Sequence, residues 1–202
     1  MTDTYLIPAQ ESQTVYTEMR SRFLAFVYGV ESEEEAKERL AALRKTHFDA
    51  RHVCYAYVIG PHGEQTRQND DGEPSGTAGA PIARQIRSAG LTNVLVAVVR
   101  YFGGVKLGTG RLGVAYKTAA AEALAEAGAT EVVMKDCLKV VAPYDVADTA
   151  MRLIRNAGAD ITARDYTATE TIMTVAVRCS DTESLKNTLT KIHTLHFIDD
   201  TP

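Results

Sequence analysis

Six consecutive apolar residues, VLVAVV at 94–99, constrain the fold of this chain more than any other feature. A strand with one wet face alternates apolar and polar side chains, whereas an unbroken apolar run belongs to a strand covered on both faces. This segment must therefore lie inside a sheet with further layers on either side. It ends in RYFGG. The chain then carries five glycines between Gly103 and Gly113, ahead of an alanine-rich helical pattern that runs from about Gly108 to Ala127 and stops at Gly128.

The flanking segments supply more elements. Residues 14–30 read as two strands split near Arg20 and Ser21. Residues 31–48 read as a helix: Ser32 is its N-cap, Glu35 takes the capping-box position, and Ala36, Leu40 and Leu43 form its buried stripe. A strand over 51–60 stops at Gly60-Pro61. The polar, Gly- and Pro-rich stretch 61–80 is expected to be a long loop, and loops of that length inside a domain tend to carry function. APIARQIRSAG (80–90) is a helix with Gly90 just past its end. After Gly128 the order is strand (131–143), helix, two strands, helix opening on Asp181, and a last strand TLHFID. That order, βαββαβ, is the ferredoxin-like split pattern. The expected fold is α+β in two domains, 1–130 and 131–202.

Charge is distributed unevenly. The formal net charge of −4 opposes indiscriminate binding to polyanions. Yet no Asp or Glu occurs between Glu73 and Glu122, a stretch that contains Arg84, Arg87, Arg100, Lys106, Arg111 and Lys117. Such a segment points to an anionic partner; the other reading is that the six charges solvate different faces. The three cysteines, Cys54, Cys137 and Cys179, are scattered and form no CxxC pair, which speaks against a disulfide framework or a zinc knuckle. No apolar run is long enough to span a bilayer and the start shows no secretory pattern, so a cytoplasmic protein without a membrane partner is expected.

GTGRLG, with Gly108, Gly110 and Gly113, matches GxGxxG in letters only. A dinucleotide fingerprint needs its first glycine at the strand end and an acidic residue closing the next strand. A Walker A loop also fails, because Thr109-Gly110 stands where Lys-Ser/Thr is required. What remains is a glycine turn leading into a helix start, where the free amides of Gly108, Thr109 and Gly110 suit a phosphate and Thr109 is positioned to cap. The alternative is that small residues let the helix pack closely on the sheet. Asp70, Asp71 and Glu73 in NDDGEPSGTAG are hard oxygen donors of the kind magnesium takes, but they do not follow EF-hand spacing and are equally ordinary turn residues. His52 and Cys54 share one strand face and lack an obvious third member of a catalytic set. No complete catalytic constellation and no cofactor are indicated.

Three stretches together, DARHVCYAYVIG (49–60), NDDGEPSGTAGAP (69–81) and VVRYFGGVKLGTGRLGVAY (98–116), resemble the IMPACT-type family in its bacterial YigZ-like branch. The resemblance implies an N-terminal domain with the left-handed βαβ fold of domain two of small-subunit ribosomal protein five. It also implies a ferredoxin-like C-terminal domain similar to the last domain of elongation factor G. Eukaryotic relatives regulate translation through an additional domain, so their partner does not carry over, and the resemblance assigns no catalytic residues.

The expected function is therefore non-catalytic and linked to translation: binding of RNA or the ribosome through Arg84, Arg87, Arg100, Lys106, Arg111 and Lys117, with Tyr101 stacking on a base and the amides of Gly108, Thr109 and Gly110 holding phosphate. Two alternatives stand beside it. One is an enzyme acting on a phosphorylated small molecule or nucleotide, or a nucleotide binder, that uses the glycine loop as a phosphate site. The other is a regulatory module that binds a translation-related protein through the 61–80 loop.

Overall fold

The computed structural model describes residues 3–198. They form two compact units, residues 5–132 and residues 133–198 with Asp3 and Thr4. Both are α+β. Among the described residues no helix is long and apolar enough to cross a membrane.

The first unit contains β1 (Thr4–Pro8), β2 (Ser12–Glu18), β3 (Ser21–Gly29), α1 (Glu33–Thr46), β4 (His52–Ile59), β5 (Gln65–Asn69), α2 (Gly79–Ala89), β6 (Val94–Tyr101), α3 (Gly108–Ala127) and β7 (Ala129–Val133). Its main sheet has the order β2-β3-β6-β4-β5. The apolar run thus becomes the central strand, antiparallel to both neighbours, with Leu24 opposite Val99 on one side and Cys54 opposite Val98 on the other. Strand alternation then sorts the core. Val94, Val96 and Val98 join Phe23, Cys54 and Ala56 against α2 and α3. Leu95, Ala97 and Val99 point to the opposite face, whose buried clusters include Leu43 and Ala36 of α1.

Local signals account for the helix ends. Ser32 Oγ accepts from the Glu35 amide at 3.2 Å, and the Glu35 carboxylate accepts from the Glu31 amide at 2.9 Å, which fixes the start of α1. Gly90 ends α2 in the left-handed conformation. Strand β5 lies inside the stretch expected to be a loop. All five of its residues are exposed at the sheet edge, so no apolar alternation announces it. The strand expected over 131–143 is interrupted: β7 pairs with β1 in a separate two-stranded sheet, and β8 begins after Met134.

The second unit contains β8 (Lys135–Pro143), α4 (Tyr144–Asn156), β9 (Asp160–Tyr166), β10 (Glu170–Arg178), α5 (Thr182–Leu189) and β11 (His196–Ile198). Its sheet order is β11-β8-β10-β9, with each adjacent pair antiparallel, which is the ferredoxin-like arrangement. Val140, Ile154, Met173, Val175, Leu185 and Leu189 lie in its core. The expected end of the last strand, Asp199, lies outside the described residues.

Candidate functional site

The chain leaves β6 at the glycine corner, and two glycines there have distinct structural reasons. Gly103 donates its amide to Ser21 Oγ at 3.1 Å, and a Cβ at this position would collide with the backbone of Arg20 and Ser21 at the tip of the β2–β3 hairpin. Gly108 has φ +74 and opens α3 from the left-handed region. Leu107 is the N-cap residue and makes no side-chain cap bond, so Thr109 does not cap the helix as its position suggested. Among the described residues the first amides of α3 therefore keep no side-chain acceptor, and the positive end of the helix dipole is left open.

That helix start forms one wall of a cavity of about 360 Å³. Arg51 and His52 at the entry to β4, Glu73 and Pro74 of the 69–79 loop, and Arg100 and Phe102 at the exit of β6 complete most of the lining, with Lys106 and Leu107 at the corner. Period two explains part of this set, since 98, 100 and 102 continue the α3-facing side of β6.

A buried polar network supports the cavity. Arg100 Nη1 donates to Glu73 Oε1 at 2.7 Å, with the two side chains only 9% and 4% exposed. The guanidinium carbon stands 5.5 Å from the Phe23 ring centroid and 5.7 Å from that of Phe102, so two aromatic rings hold it. Arg100 Nε is buried and has no hydrogen-bond partner among the described residues. Tyr116 donates to the same Glu73 oxygen at 2.8 Å. Cys54 Sγ lies 3.3 Å from the Tyr116 hydroxyl and 2.9 Å from the Asp70 carbonyl. Burial pushes the Cys54 thiol well above its ordinary pKa, and the nearby charges of Glu73, Asp71 and Asp70 add to the rise. Burial likewise raises Tyr116, together with its contacts to Cys54 and Glu73. A thiol held protonated in this way is no nucleophile at neutral pH. His52 Nδ1 is 2.7 Å from the Asp71 carbonyl, and the ring packs beside the loop as a support.

The loop carboxylates are engaged separately. Asp70 accepts from the amides of Gly76, Ala78 and Gly79 at 2.8, 3.0 and 2.8 Å, closing the loop and capping α2 from eight residues upstream of its N-cap. Burial pushes the Asp70 carboxyl up, and these three amides outweigh it, leaving its pKa below the ordinary value. Asp71 accepts from the Val53 amide at 2.6 Å and from Arg44. The three acids therefore do not converge, and among the described residues no group of three or more His, Cys, Asp or Glu is placed to hold a metal ion.

The sequence-expected site residues fall into separate places. Arg100, Lys106, Gly108 and Thr109 line the cavity, and Gly110 is exposed on the same first turn. Arg100 is not a free surface cation, because Glu73 pairs with it. Tyr101 points to the α1 face, where its hydroxyl donates to Asp49 at 3.0 Å and lies 2.9 Å from His47 Nδ1, so it cannot stack at the glycine corner. Arg111 is exposed and its Nη1 is 3.0 Å from Met19 Sδ in the hairpin. Lys117 is also exposed on α3, six residues on and so about 240° around the helix. Arg84 and Arg87 are exposed on α2, where Arg87 lines a second cavity with His62 and Arg67. Sequence reasoning missed the contribution of Arg51, Glu73 and Phe102 to the first cavity.

The profile of the Impact N-terminal domain matches residues 19–124, the span that contains every element of this cavity. The chain is 40% identical over 116 residues to IMPACT family member YigZ of Escherichia coli, covering 56% of this chain and 57% of that protein. It spans little more than half the length of the curated relatives it matches. Among solved structures, a hypothetical protein has 29% identity and a TM-score of 0.72 over 100% of both chains. The two-domain translational regulator Yih1 is 31% identical over 63% of this chain and 48% of its own, with a TM-score of 0.35.

Proposed function

The chain belongs to the IMPACT family, in its YigZ-like bacterial branch, and from that premise we propose that it is a translation-linked RNA-binding protein whose contact surface is the corner between β6 and α3. Family membership supplies the connection to translation. The open start of α3, with Lys106 beside it and Arg111 one turn on, carries the rest. Among the described residues neither cation has a carboxylate partner, and the one acid lining the cavity, Glu73, is already paired with Arg100. Free amides at a helix start and unpaired cations are the groups that bind phosphate oxygens without reading sequence. Lys117, Arg84 and Arg87 lie on other exposed surfaces of α3 and α2.

Anisotropy with a labelled stem–loop RNA tests the reading. The double variant Lys106→Glu/Arg111→Glu is expected to bind about tenfold or more weakly than the parent, through lost phosphate contacts and added repulsion. Parent-like affinity in that variant refutes the reading.

A further inference from the structure

We propose that the cavity at the β6–α3 corner takes one unstacked nucleotide unit, its phosphate at the start of α3 and its base on the ring of Phe102. The inference rests in part on the RNA-binding reading, because the unit belongs either to a single-stranded stretch of RNA or to a free mononucleotide. Three observations point to the ligand. The helix start carries no side-chain cap. Arg51 and Lys106 line the same cavity without a carboxylate partner among the described residues. Phe102 is 54% exposed, large and apolar, and its ring is already braced by the Arg100 guanidinium.

Chemistry narrows the class. A bare phosphate satisfies the amides and cations but leaves the apolar lining, Pro74, Leu107 and Phe102, against water. A flat ring attached to the phosphate covers it, and about 360 Å³ lies within the range of cavities that hold small ligands. A duplex cannot supply that ring, because its bases are stacked on one another and paired inward; single strands can turn a base out onto an aromatic side chain.

Titration of the full chain with a single-stranded hexanucleotide, a blunt duplex and a nucleoside 5′-monophosphate tests the inference, using the parent, Phe102→Ala and Phe102→Tyr. The hexanucleotide is expected to lose about tenfold in affinity in Phe102→Ala, to recover in Phe102→Tyr, and the duplex to be indifferent to both. If only the monophosphate shows this pattern, the nucleotide site stands and its occupant is a free mononucleotide. If no ligand depends on Phe102, the nucleotide site is wrong. The stem–loop measurement with Lys106→Glu/Arg111→Glu then decides separately whether RNA is bound at this corner.

Discussion

Arg100 and Tyr101 are neighbours in sequence and belong to opposite faces of β6. Arg100 enters the α3 side and pairs with Glu73, while Tyr101 joins Asp49 and His47 on the α1 side. Breaking a buried pair strands a charge, so Glu73→Ala is expected to lower the unfolding free energy by about 3 kcal/mol or more in urea denaturation. A loss well under 1 kcal/mol shows that Arg100 finds another partner. The same buried network sets thiol reactivity. Cys137 is exposed, whereas Cys54 is buried with its pKa raised by burial and by nearby acids. Titration with an aromatic disulfide reagent at pH 8 is therefore expected to modify Cys137 in the native protein and Cys54 only after unfolding. The separation of residues 100 and 101 was legible in the sequence, since period two alone places them on opposite faces. The pairing of Glu73 with Arg100 was not, because no local rule joins positions that far apart.

The glycine corner carries the proposed contact surface, and its glycines are unequal. Gly103 is fixed by the hairpin backbone it crosses, so Gly103→Ala is expected to destabilise strongly. Gly110 lies within α3, would meet nothing within 4 Å if it carried a Cβ, and has no left-handed φ, so Gly110→Ala is expected to stabilise by up to about 1 kcal/mol. Thermal unfolding of the two variants checks the contrast. The 69–79 loop shows the same division between turn chemistry and hidden duty. Asp70 reads as a turn residue, but the reach of its carboxylate to the start of α2 depends on the folded path of the loop. The folded pKa of Asp70 is lowered. Its contribution is thus present above the unfolded carboxyl value, near 3.9, and is lost as pH falls through the lower folded value. Asp70→Asn is expected to be less stable at pH 7 and to approach the parent as pH falls through the lowered folded value in denaturant titrations at each pH. Helix α1 was legible through its capping box; β5 was not, because an edge strand exposed throughout carries no apolar period.

At the scale of the whole molecule, the ordered grammar after Gly128 was enough to foresee the β11-β8-β10-β9 sheet, and the 94–99 run was enough to foresee a covered central strand. The site was harder to read, because it gathers positions 51, 73, 100, 102 and 106 from separate elements while the acid-free segment disperses its charges over α2, the corner and α3. A protein with net charge −4 does not attract RNA as a whole, so the proposed binding is local and its salt dependence reports a few contacts. The slope of log K against log salt for single-stranded RNA measures those contacts directly. With each phosphate contact contributing about 0.7 to the slope, Lys106→Gln/Arg111→Gln is expected to flatten it by about 1.4 relative to the parent. An unchanged slope in that variant contradicts the placement of phosphate at the start of α3.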